Sequence, residues 1–204
     1  ADAGELTTLA RRSGSGSAAR SVLGGYVLWP AGEGDEEGHA VAVAPAEHWD
    51  LRDVISVLDG APKAVSSREG HRRAPSSPYF ETRLRLLPRR LERVRVAIER
   101  RSFEELASVV EEEAIDLHLI AMSSRPPIFY WEPATVRLLA EVRRLRDSGL
   151  QVCATMDAGA NVHLICPAGD EPRVAAALEE MPGVRSVIRD GVGEGPISSS
   201  DHLF

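Results

Sequence analysis

Between residues 84 and 145 the apolar residues recur at steps of three and four, and that run constrains the fold more than any other feature of the chain. Leu84, Leu87, Leu91, Val94 and Ile98 fall on one face of a helix. Phe103, Leu106, Val110, Ala114 and Leu117 repeat the pattern, and so do Leu138, Val142 and Leu145 after the breaker SSRPP at 123–127. The spacing therefore predicts three consecutive helices, a helical layer in the middle of the chain. The charges between the leucines of the first helix, Arg85 to Arg101, are expected to form a solvated basic face. A nucleic-acid patch is not expected, because 31 Asp and Glu outnumber 24 Lys and Arg and give a formal net charge of -7.

On either side of this layer the period shortens. Residues 4–12 read as a short helix, and Gly25 to Pro30 (GYVLWP) and His39 to Ala44 (HAVAVA) as strands around the acidic loop GEGDEEG. Asp53 to Leu58 reads as a buried strand ending at the turn signal Asp59-Gly60. After Gly149, LQVCATM and VHLIC are short strands separated by Asp157 to Asn161. A helix is predicted from Asp170 and Pro172 to Pro182-Gly183, then a last strand over Val184 to Ile188 and a Gly/Ser-rich tail. The order predicts an α+β fold with helices packed on a mostly antiparallel sheet. No apolar run is long enough to cross a bilayer and no signal segment opens the chain, so a cytoplasmic location is expected. Cys153 and Cys166 fall in the buried strands and are expected to be core thiols.

Three segments carry candidate chemistry. Ser13 to Ser21 (SGSGSAARS) is a Gly/Ser turn feeding a helical start, which presents backbone amides and hydroxyls to an anion while Arg20 can grip a carboxylate through two parallel hydrogen bonds. Taken alone, such turns are more often linkers. Asp157, in TMDAGAN, is a carboxylate expected to be partly desolvated between two apolar strands, a setting that suits a base, although an isolated Asp-x-Gly is more often an ordinary turn. Lys63 to Arg73 (KAVSSREGHRR) reads as a basic, hydroxyl-rich loop able to hold phosphate oxygens or simply to face water. The 6 histidines show no metal-ligand spacing and no C-x-x-C step occurs, so no structural metal is expected.

The order and wording of these segments resemble one family, the diphosphomevalonate decarboxylases of the GHMP kinase superfamily. LARRSGSGSAARSVLGGYVLW (Leu9 to Trp29) is similar to the family's A-R-x-G-S-G-S-A-x-R-S-x-x-G-G-[FY] stretch, and TMDAGANVHLI to its D-A-G-P-N-V motif. VSSREGHRRAPSS resembles the family's S-[RT]-x-G segment, and DLHLIAM with SRPPIFYW its histidine-containing helix and P-P-I-x-Y. The resemblance implies a GHMP-type fold and ATP-dependent decarboxylation of mevalonate 5-diphosphate to isopentenyl diphosphate, with ATP and Mg2+ required. By the same resemblance Arg20 contacts the substrate carboxylate, Ser15 and Ser17 flank it, and Asp157 stands beside the 3-hydroxyl. Arg68 and Lys63 fall at the phosphate end. Ala160 replaces the usual proline and Ala19 a common cysteine, and FYWEP is as close to the monophosphate-specific decarboxylases, which leaves the phosphate count open. Family members carry an ATP-cradling segment ahead of the region matched here. The chain alone is thus expected to be incomplete: a fragment, one of two complementary chains, or an inactive scaffold. A homodimer is the other partner that the resemblance allows.

Overall fold

The structure, a computed structural model, describes residues 3–12, 20–29, 39–58 and 65–196, divided between a unit drawn from residues 1–50 and 192–204 and a unit drawn from residues 51–191. The first unit holds helix α1 (Ala3–Arg12) and the antiparallel pair β1 (Tyr26–Leu28) and β2 (Val41–Ala44), whose register slips between Tyr26 and Val27. The Tyr26 hydroxyl donates to the Trp49 carbonyl at 2.6 Å and fixes the exit from the pair. The acidic loop between these strands lies outside the described residues. Gly25 takes a left-handed φ of 76°, and its N–H donates to the Gly193 carbonyl at 2.9 Å, which joins the C-terminal segment to this unit.

The second unit runs β3 (Leu51–Val57), α2 (Ser67–Arg73), α3 (Phe80–Arg100), α4 (Phe103–Ser123), α5 (Pro133–Asp147), β4 (Cys153–Thr155), β5 (Val162–Pro167), α6 (Glu171–Glu179) and β6 (Ser186–Gly191). Its strands form one sheet in the order β4-β5-β3-β6, antiparallel at every pairing. Residues alternate between faces as a two-residue period requires: Val162, Leu164 and Cys166 of β5 and Val54 of β3 point into a core completed by Leu138 and Val142 of α5 and Val174 and Leu178 of α6. Both cysteines are free and buried, and burial pushes each thiol up to about 12. The architecture is the expected α+β one, with helices against an antiparallel sheet.

Two local expectations are corrected. The last strand spans Ser186–Gly191 instead of 184–188, because Gly183 is left-handed and Val184 is still turn-bonded to Met181. Pairing with β3 then continues to Gly191 opposite Arg52. The basic residues of α3 are not simply a solvated face. Arg90, only 12% exposed, bonds Glu113 at 2.8 Å and Asp116 at 2.6 Å, and Arg93 reaches Glu105 at 2.6 Å and Glu112 at 2.8 Å. Helix α4 turns an acidic row toward α3, so the arginines form the seam while Leu84 and Leu91 are left 42% and 43% exposed. Edge strand β4 is closed by a side chain: the Ala154 N–H donates to Glu111 at 3.0 Å, and Arg146 holds that carboxylate at 2.9 and 3.0 Å.

Candidate functional site

Asp157 follows β4 on a loop fastened from three sides. The His118 ring on α4 hydrogen-bonds the Asp157 backbone. The buried Thr135 hydroxyl near the start of α5 donates to the Ala160 carbonyl at 3.0 Å and accepts the Glu132 N–H at 3.1 Å. The Asn161 side chain accepts the Leu58 N–H at 2.9 Å, tying the loop to the end of β3. Within the loop the Gly159 N–H donates to the Asp157 carbonyl at 2.8 Å. The backbone of the aspartate is thus held while its side chain is exposed among the described residues, against the partial burial expected from sequence. The apolar Cys153, Ala154 and Met156 before it and the small Gly159 after it take the buried positions of this strand and loop.

Asp157 borders a cavity of about 300 Å³ whose other walls include Gly70 and His71 of α2, Arg83 of α3 and Tyr130. The expected basic loop is in fact helix α2 from Ser67 onward. Ser66 caps it, its hydroxyl accepting the Glu69 N–H at 3.2 Å, and Glu69 pairs with Arg72 and with Arg73 at 2.5 Å. Capping and ion pairs at three- and four-residue spacing stabilise a helix that has no apolar stripe to announce it. Gly70 is needed here for closeness: a Cβ on it would stand 2.7 Å from the Tyr130 hydroxyl. Below this helix, His118 meets Tyr130 edge-on at 6.0 Å and Trp131 at 5.4 Å. Among the described residues, His118 Nε2, the Tyr130 hydroxyl and Trp131 Nε1 are buried without a hydrogen-bond partner, as is Arg83 Nε. Burial holds the His118 ring below its ordinary range, opposed by the bond and charge of Asp157, so the ring is neutral near pH 7. Burial also raises the Tyr130 hydroxyl.

Arg20 belongs to the first unit, at the end of a helical turn closed by the Leu23 N–H to the Arg20 carbonyl at 3.1 Å, and it lines a separate cavity of about 390 Å³ with Ser21, Val27 and Glu194. Ser15, Ser17 and Lys63 lie outside the described residues. Arg68 is on the exposed side of α2 and does not line the Asp157 cavity. Sequence reasoning missed Gly70, His71, Arg83 and Tyr130 as walls of that cavity. The P-P-I-x-Y wording around Tyr130 and the Lys63 to Arg73 segment that carries Gly70 and His71 were the signals pointing there. Among the described residues no group of three or more His, Cys, Asp or Glu side chains is placed to hold a metal ion. No helix among them is long and apolar enough to cross a membrane.

The mevalonate 5-diphosphate decarboxylase C-terminal domain matches residues 53–197, and the diphosphomevalonate decarboxylase-like N-terminal domain matches residues 1–40. The chain is 33% identical to the diphosphomevalonate decarboxylase of Aspergillus fumigatus, with 98% of the chain and 60% of that protein covered. The crystal structure of mevalonate diphosphate decarboxylase from Staphylococcus aureus superposes with a TM-score of 0.88 at 29% identity, over 96% of this chain and 60% of that one. A structure of MDDEF in complex with MVAPP, AMPPCP and magnesium superposes with a TM-score of 0.87 at 31% identity, again over 96% and 60%. The fold is therefore that of these decarboxylases over part of their length. The chain belongs to the mevalonate 5-diphosphate decarboxylase family, and it spans about 60% of the relatives it matches.

Proposed function

We propose that the protein serves ATP-dependent decarboxylation of mevalonate 5-diphosphate to isopentenyl diphosphate, and the observation that carries the proposal is Asp157, exposed at a cavity also walled by Arg83 and His71 on a loop fastened at Asp157, Ala160 and Asn161. The fastened loop holds the carboxylate at the cavity wall. It can orient the substrate's tertiary hydroxyl and accept its proton as ATP supplies the phosphoryl group. The new phosphate then leaves with the C–O electron pair, and the charge of Asp157 stabilises the carbon cation that develops. The C–C bond to the carboxylate breaks, its electron pair becomes the double bond, and carbon dioxide leaves. Arg20 holds the carboxylate in line until that step, so it positions as much as it stabilises.

The same reading gives Ser15 and Ser17 to the carboxylate end of the substrate and Arg68 and Lys63 to its phosphate end. It assigns residues 1–50 and 51–204 to the two domains of such an enzyme and a cytoplasmic location to the whole. It takes ATP and Mg2+ as the nucleotide and metal of the reaction, with a longer chain, a second chain or a homodimer completing the site.

The test is release of carbon dioxide from mevalonate 5-diphosphate and from mevalonate 5-phosphate in the presence of ATP. Turnover of the diphosphate is expected, and Asp157→Asn should reduce it by about 10²–10⁴-fold, the usual contribution of a general base, while leaving the unfolding midpoint unchanged. Turnover of the monophosphate alone would reassign the substrate. Full activity in Asp157→Asn would remove the aspartate from the mechanism.

A further inference from the structure

The C-terminal segment meets the Arg20 cavity at a fixed place. The Gly25 N–H donates to the Gly193 carbonyl at 2.9 Å, and a Cβ on Gly24 would stand 2.3 Å from the Gly195 nitrogen, a contact no side chain permits. The segment is therefore held against the Gly24-Gly25 loop on both sides of Glu194. That leaves the Glu194 side chain on the wall of the cavity that Arg20 lines. Among the described residues Glu194 is the single acid and Arg20 the single cation of that lining.

We propose that Glu194 is a positioning residue that limits the grip of Arg20 on the substrate's carboxylate; the inference rests on the function proposed above. A carboxylate that departs as neutral carbon dioxide loses its negative charge on the way to the transition state. Whatever attraction Arg20 exerts is then stronger in the bound ground state than at the top of the barrier, and a stronger grip improves binding at the expense of turnover. A second negative charge in the cavity offsets part of that attraction. Glu194 weakens substrate binding and speeds the step in which the carboxylate is lost.

The experiment measures the dissociation constant for mevalonate 5-diphosphate by calorimetry, and kcat and KM for ATP-dependent carbon dioxide release, on the full chain together with whatever completes its ATP-binding part. Glu194→Gln should tighten binding about three- to tenfold, the scale of one unit charge removed several ångströms away in a wet cavity. It should lower kcat by a similar factor, so that kcat/KM stays near the wild-type value. In an Arg20→Gln background the same substitution should change neither quantity, because Glu194 acts by competing with the substrate's carboxylate for the Arg20 guanidinium. Unchanged or weaker binding in Glu194→Gln, with Arg20→Gln weakening it, overturns this inference and leaves the proposed function standing. Tighter binding in both backgrounds also overturns it, since Glu194 would then act without Arg20. A wild-type protein that does not bind the substrate, or binding indifferent to Arg20→Gln, overturns the reading of Arg20 and this inference with it.

Discussion

The seam between α3 and α4 and the floor beneath the Asp157 loop belong to one unit and handle polar groups in opposite ways. Along the seam Arg83, Arg90 and Arg93 each meet at least one carboxylate of α4, on side chains that stay partly wet. In the floor His118 Nε2, the Tyr130 hydroxyl and Trp131 Nε1 are buried with no partner among the described residues. Packing for stability alone does not select unpaired polar atoms, each of which carries a desolvation penalty of about 1–3 kcal/mol. The contrast separates a region built to hold two helices together from one built to hold a loop and a cavity in place.

The largest expected effect breaks the seam at its most buried member. Arg90→Ala strands Asp116, leaves Glu113 with Arg83 alone, and should cost about 1.5–3 kcal/mol in urea unfolding, the range for hydrogen bonds to charged groups. Arg95→Ala, whose partners Glu92 and Glu99 lie on its own exposed helix face, should leave the midpoint where it was. Equal losses from the two would mean that burial does not distinguish the seam from ordinary surface pairs.

A smaller effect, with a change of sign, sharpens the description of the floor. Gly70→Ala improves helix propensity by about 1 kcal/mol but drives a methyl group into the Tyr130 hydroxyl, an overpacking that costs about 1–3 kcal/mol. It should destabilise the wild type. In a Tyr130→Phe background the oxygen is gone, and the same substitution should stabilise the protein. Thermal unfolding of the four proteins decides: a Gly70→Ala effect of the same sign in both backgrounds would place the contact elsewhere.

The smallest effect is a pair of opposed pH dependences. His118 is held below the ordinary histidine value of about 6.5 mainly by burial, so the unfolded chain takes up its proton first and stability is lost as pH falls through about 6.5. His163 is held above 6.5 by its 2.8 Å bond to Asp53, so its contribution is present below that value and is lost as pH rises through the higher folded one. His118→Gln should flatten the acid side of the stability profile, and Asp53→Asn the neutral side. A profile that responds to neither would detach both rings from stability.

What the sequence showed follows from which forces leave a periodic trace. The three central helices were legible from their apolar spacing, which in α4 and α5 buries Leu106, Ala114, Leu138 and Val142, and β5 because Val162, Leu164 and Cys166 alternate. Helix α2 was not legible, since SREGHRR depends on a cap and ion pairs and has no buried residue. The seam was misjudged because arginines spaced for solvent and arginines spaced for a partner helix look alike until the partner's acids are placed opposite. Of the candidate residues, Asp157 and Arg20 were singled out through wording. The meeting of the cavity walls was not legible, since Gly70 and Tyr130 come together only after the 59 positions between them fold back.

Glu111 has one more consequence, which concerns time. A chain emerges from its amino end, so the carboxylate on α4 and its partner Arg146 are both made before Ala154, the amide they close off. Both are upstream of the strand they guard, so closing that amide depends on no segment made after β4.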